Sequence, residues 1–161
     1  VDTIGAQAKS LFDCLQASGK HFVVIAPNND PGTEDIFEVI QALPKERFRL
    51  IPSMRFNYFS ELMKNAAVMV GNSSAGVREA PFLGLPSLDV GTRQNNRAQS
   101  PSLHACAADD TLAINRFLNN DWCRRWAKDE GFGGGNAALH FLHALKGSEF
   151  WAQPVQKVFA S

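Results

Sequence analysis

A doubly wound parallel α/β sheet is the fold class this sequence predicts, on three observations. Short continuous apolar runs at residues 21–26, 48–51, 67–71, 86–90 and 103–107 alternate with helix-compatible stretches at close intervals. That is the pattern of strands buried on both faces and joined by helical crossovers. Helix breakers, among them Gly19 and Gly84, fall between these stretches. Finally, Asn28, Ser73 and Arg93 each closely follow a predicted strand, and ligands of such sheets bind at the carboxyl ends of the strands.

In chain order, Asp2 or Thr3 caps a first helix running to about Ala17, with Ile4, Ala8, Leu11, Phe12 and Leu15 on one face and Gly19 ending it. The first strand follows, then a turn cluster at residues 27–32 in which Asp30 caps the turn. Thr33 caps a helix to about Leu43 with Ile36, Phe37 and Ile40 inward. After the second strand, Asn57 or Ser60 starts a short helix carrying Phe59, Leu62 and Met63. The third strand runs straight into a helix beginning at Ser73–Ser74 and stopped by Gly84. Beyond the last two strands, Asp109 or Thr111 opens a helix to about Leu118, and Asp121 caps another with Trp122 and Trp126 at i, i+4 on one face. The glycine-rich loop 132–135 follows a helix and lacks a Lys-Ser/Thr pair, so it reads as a turn before a helix at residues 136–145 and not as a phosphate cradle. Phe150, Trp151, Val155 and Phe159 make the tail at 146–161 too apolar for a free end, and it is expected to pack on the body or on a further domain.

The length of 161 residues suits one domain over 1–161, large enough to bury about two thirds of its unfolded surface. Lys and Arg number 16 and Asp and Glu 16, without the clustered positive charge of a nucleic-acid footprint. No apolar run approaches the roughly 18 residues of a membrane span. Cys14, Cys106 and Cys123 are odd in number, far apart and without metal-ligand spacing. They predict a reduced, cytoplasmic chain in which each thiol is a small core hydrophobe. His21, His104, His140 and His143 offer no set of three metal ligands, and Ser73–Ser74 lies in no nucleophile elbow. A start at Val1 suggests a processed chain or part of a longer one.

The most informative stretch is residues 68–80, where an apolar run ends in Gly-Asn-Ser-Ser and passes into a helix. The free N–H groups of a first helical turn facing a small-residue loop with two hydroxyls form an anion site. Gly76 keeps that turn open for close approach. Glu79 lies five residues past Ser74, about 7.5 Å along a helix axis, so phosphate at the cap and a ribose diol at the carboxylate fit the spacing. The plainer reading makes the serines ordinary caps and Glu79 a solvated helix residue. Arg93 stands in a loop rich in donors and free of acidic groups, where a guanidinium clamps phosphate bidentately; as with Arg97, the alternative is a surface arginine.

Taken together, the strings Gly71-Asn-Ser-Ser-Ala-Gly-Val-Arg-Glu-Ala80, Leu83-Gly-Leu-Pro86 and Gly91-Thr-Arg-Gln-Asn-Asn-Arg97 resemble the hydrolysing branch of the UDP-N-acetylglucosamine 2-epimerase family. The similarity extends back to Pro27-Asn28-Asn29-Asp30-Pro31-Gly32 and thinly forward to Phe132-Gly-Gly-Gly-Asn136-Ala137 and Gln156-Lys157-Val158-Phe159. It implies a Rossmann-like domain, the C-terminal, nucleotide-binding half of a two-domain fold of the B-type glycosyltransferase kind. In that half Ser73 and Ser74 hold the phosphates, Glu79 the ribose hydroxyls, and Arg93 supports the departing diphosphate. Asn28 sits near the phosphates, and Phe59 stacks on uracil, with a core role as its alternative and Tyr58 as a substitute.

The resemblance further implies an enzyme that eliminates UDP from UDP-N-acetylglucosamine, or from a 2,4-diacetamido-6-deoxy analogue, and releases the 2-epimeric N-acetylmannosamine-type sugar for sialic-acid-like products. It implies neither metal nor organic cofactor, no nucleic-acid or membrane partner, and a homo-oligomer for the full-length protein. The proton-abstracting residues are expected on an N-terminal domain that is not among these residues. Competing readings are the nucleotide-binding domain of a B-type UDP-sugar glycosyltransferase and a non-catalytic UDP-sensing module.

Overall fold

The computed structural model describes residues 3–28 and 31–153, so the capping roles of Asp2 and Asp30 and the tail at 154–161 lie outside the described residues. The chain groups into two compact units, Val1–Asp129 and Glu130–Ser161, where the sequence suggests one domain. The first unit holds α1 (Thr3–Ala17), β1 (Phe22–Ile25), α2 (Thr33–Gln41), β2 (Phe48–Ile51), α3 (Phe56–Asn65), β3 (Met69–Gly71), α4 (Ser74–Phe82), β4 (Ser87–Val90), β5 (Leu103–Cys106) and α5 (Thr111–Asn120). The second holds α6 (Ala137–Lys146) and α7 (Ser148–Trp151).

Every strand pairing is parallel, as the alternation predicts. The ladders form two groups, β1-β2 and β3-β4-β5. Both groups feed one core: Val24 of β1, Phe48 of β2, Val70 of β3 and Leu88 and Val90 of β4 pack with Phe12 and Leu15 of α1, Ile40 of α2 and Ile114, Phe117 and Leu118 of α5. A smaller cluster, Met63, Ala75, Ala80 and Leu85, joins α3 to α4. Strand β4 lies between two parallel neighbours and is buried at all four positions.

Several helix starts shift by a residue for identifiable reasons. Thr33 is the first residue of α2 rather than its cap, its hydroxyl donating instead to the Asn28 carbonyl at 2.6 Å. Helix α3 starts at Phe56, ahead of Asn57. Asp110 caps α5 by accepting from the Ala113 amide at 2.9 Å, the ordinary use of a short acidic side chain at a helix start.

The helix expected after Asp121 does not form. Cys123 has a φ of 62°, hostile to helix propagation for a residue with a Cβ. The backbone that follows is bonded elsewhere: the Trp126 amide donates to Gly84 O at 3.0 Å and the Asp129 amide to Pro81 O at 3.1 Å, so the segment straps the end of α4. Trp126 instead carries the Arg124 guanidinium over its ring at 3.9 Å, and Arg125 donates to the carbonyls of Lys64 and Ala66 at the end of α3. Cys14 is buried, but Cys123 is exposed and so is no core hydrophobe.

In the second unit, α6 has no buried residue and exposes Leu139, Phe141 and Leu142. The Trp151 indole N–H donates to Leu145 O at 2.7 Å, folding α7 back onto the end of α6. The glycine-rich loop is a turn, closed by the Gly133 amide donating to Glu130 O at 2.7 Å.

Candidate functional site

The site begins where β3 ends. Gly71 has a φ of 145° and Ser73 an extended backbone (φ −71°, ψ 141°), which turn the chain from strand into helix within three residues. Ser73 is the N-cap of α4, its hydroxyl accepting from the Ala75 amide at 3.3 Å, while Ser74 is the first helical residue; both are exposed. An exposed helix start with two hydroxyls favours an anion through the helix dipole and its free N–H groups.

Glu79 lies one and a half turns further along α4 and is half-buried, and its Oε2 is buried with no hydrogen-bond partner among the described residues. The Cα–Cβ bonds of a helix tilt toward its N-terminus, and that of Glu79 therefore leans toward the serine end of α4. An unpaired buried charged oxygen costs about 1–3 kcal/mol or more, a cost that a ligand hydroxyl donating to it would remove.

Gly76 lies in the first turn of α4, its amide donating to Ser73 O at 3.0 Å. It is a buried residue of α4 lying against β4, and a Cβ there would come within 2.8 Å of Ser87 Oγ. The missing side chain serves close helix–strand packing, a structural reason for glycine here beside the expected one at the turn. Phe59 is half-buried and packs against the Met63, Ala75, Ala80 and Leu85 cluster, whereas Tyr58 on the same helix is 63% exposed. Asn28 is exposed two residues beyond Ala26, whose amide makes the last bond between the first two strands, to Ile51 O at 3.0 Å.

Arg93 is exposed in the loop that follows β4. The structure brings that loop to the serine loop: Gln94 Nε2 donates to Asn72 O at 2.9 Å, across 22 residues of sequence. The start of α4, with Ser73 and Ser74, and the loop carrying Arg93 thus follow the carboxyl ends of paired strands, while Asn28 follows β1 in the other ladder.

Two residues of this region escape a sequence reading. Gln94 is 3% exposed although Thr92, Arg93, Asn95, Asn96 and Arg97 around it are exposed, and nothing in its type distinguishes it from those neighbours. Asp89, opposite Gly71 in the ladder, is 4% exposed, with Oδ1 lacking a partner among the described residues. An acid inside a predicted buried strand was a usable signal. Burial pushes its carboxyl above the usual carboxylate range.

The sign of the resulting pH dependence follows from linkage. A carboxyl whose folded pKa exceeds its unfolded value near 3.8 stabilises fully below that value and loses the contribution as pH rises through the folded pKa. Asp89→Asn is therefore expected to gain stability relative to the parent chain between pH 4 and pH 7. Urea unfolding at both pH values checks this; a gap that stays constant or narrows toward pH 7 contradicts it.

Parallel strands, helices between them and a serine-capped helix at the carboxyl edge define a Rossmann-like α/β fold. The chain belongs to the UDP-N-acetylglucosamine 2-epimerase family, whose model matches residues 2–146. It is 37% identical over 155 residues to the UDP-N-acetylglucosamine 2-epimerase of Neisseria meningitidis serogroup B, covering 94% of this chain and 41% of that protein. It is 35% identical over 104 residues to a hydrolysing UDP-N,N'-diacetylbacillosamine 2-epimerase of Legionella pneumophila, covering 64% of this chain and 28% of that one. With the polysialic acid biosynthesis protein P7 of Escherichia coli it shares 31% identity over 83 residues, 51% of this chain and 21% of the other. The chain thus spans less than half the length of these relatives. Among the described residues, no helix is long and apolar enough to cross a membrane.

Proposed function

We propose that this chain is the UDP-binding half of a cytoplasmic hydrolysing 2-epimerase. The whole enzyme removes UDP from UDP-N-acetylglucosamine, or from a 2,4-diacetamido-6-deoxy relative, by elimination across C1 and C2. Water then adds to the 2-acetamidoglucal from the opposite face, giving the free N-acetylmannosamine-type sugar and UDP. In this reading Ser73, Ser74 and the start of α4 take the diphosphate, with Asn28 nearby and Arg93 offsetting its charge as it leaves. Glu79 accepts the two ribose hydroxyls, and the Phe59 ring, or Tyr58, covers the uracil.

The observation that carries this reading is the unpaired, buried Glu79 Oε2 on the helix whose exposed start bears Ser73 and Ser74. A carboxylate oxygen held without a donor among the described residues, one and a half turns from an anion site, matches a diol separated from a diphosphate. The names of two of these relatives, a 2-epimerase and a hydrolysing 2-epimerase, support the reaction class.

Release of UDP and free N-acetylmannosamine by the full-length protein tests it. Sugar transfer to an acceptor without free N-acetylmannosamine would instead indicate a glycosyltransferase, and nucleotide binding without turnover a sensing module. The 161-residue chain alone is expected to show no turnover, since this reading places the C2 base outside it. Measurable product from these residues would overturn that assignment.

A further inference from the structure

The parallel ladder between β3 and β4 ends at the pair Gly71 and Asp89. Beyond it the serine loop and the arginine loop have left the sheet, and the Gln94 side chain joins them. Its Nε2 donates to the carbonyl of Asn72, the residue before the α4 cap, and Gln94 itself directly follows Arg93. Because the carbonyl only accepts, the amide must present its NH2 to it, so the orientation is settled by chemistry.

The arginine loop has its own internal turns, Asn95 N to Thr92 O and Arg97 N to Gln94 O, both at 3.2 Å. Those bonds shape the loop without fixing its place. Gln94 supplies the placement: it is buried among exposed neighbours and reaches across to the other loop. Its Oε1 is also buried without a partner among the described residues, which is an unfavourable state for a residue with no role beyond filling space.

We propose that Gln94 is a positioning residue that sets the separation between the start of α4 and the loop carrying Arg93, so that one diphosphate engages both. The inference rests on the UDP-site reading above and deepens it. It requires that loss of the Gln94 bond act on phosphate binding through Arg93, and leave the nucleoside contacts in place.

Gln94→Met keeps the side-chain length and removes both polar atoms, while Gln94→Glu keeps the shape and removes the donor. UDP and uridine are titrated by calorimetry into the full-length protein and each variant, with melting temperatures recorded. The expected result is about a tenfold weaker UDP affinity, corresponding to about 1.4 kcal/mol, with uridine changed less than twofold. In an Arg93→Ala background, Gln94→Met should cost UDP almost nothing further, because the two residues act as one unit.

Unchanged UDP affinity in a folded variant, equal losses for uridine and UDP, or full additivity with Arg93→Ala each overturn the proposal. If one variant fails to fold, the other carries the test. Failure of the unsubstituted protein to bind UDP at all sinks the site reading itself, and is distinct from a parent that binds UDP and variants that bind it equally well.

Discussion

Gly84→Ala is expected to destabilise the chain by about 2–5 kcal/mol. Gly84 follows the C-terminal end of α4 with a φ of 61°, a left-handed conformation that costs a residue with a Cβ about 1–2 kcal/mol. The added carbon would also stand 2.2 Å from Trp126 O. That oxygen belongs to backbone and cannot swing aside, and the Trp126 amide is itself bonded to Gly84 O at 3.0 Å. Overpacking of this kind adds about 1–3 kcal/mol. Against a typical total of about 5–15 kcal/mol, the loss leaves the protein marginal. Gly19 is the internal control: its φ is 70°, yet a Cβ there meets nothing within 4 Å. Gly19→Ala should therefore show only the conformational part. Urea denaturation of the three proteins gives the comparison, and equal losses at the two glycines would show that the strap at Trp126 does not press on α4.

The difference between what was legible in the sequence and what was not follows the range of the interactions. Strand and helix alternation depends on local apolar pattern, so all five strands were located from short runs such as residues 48–51. The turn into α4 was legible for the same reason, since Gly71 and Ser73 carry their conformations in their own side-chain chemistry. Trp122 and Trp126 misled because i, i+4 spacing says nothing about a backbone that bonds to Pro81 and Gly84, more than 40 residues away. At Gly76 the sequence shows a glycine in the first turn of a helix, but not its packing against Ser87 on the strand beneath, which is a long-range contact. Gln94 is invisible to the sequence because its partner is a carbonyl on another loop, and a carbonyl leaves no trace in residue type.

Glu79→Gln is expected to weaken UDP binding about 10- to 150-fold, the loss of a charge-assisted hydrogen bond worth about 1.5–3 kcal/mol. The substitution is isosteric on a half-buried helix position whose Oε2 has no partner among the described residues. Folding should thus be unharmed, with a melting temperature at or above that of the parent chain. The affinity of 2′,3′-dideoxy-UDP should fall much less, because a ligand without the diol never used the carboxylate. Arg93→Ala should show the complementary pattern, with UDP weakened far more than uridine, since its partner is phosphate. The two variants together separate the ends of the ligand: one senses the ribose hydroxyls and the other the diphosphate. Calorimetric titration of uridine, UDP and dideoxy-UDP into the parent and both variants measures this. Equal losses for all three ligands in both variants would show that Glu79 does not hold the diol and Arg93 does not hold the phosphate.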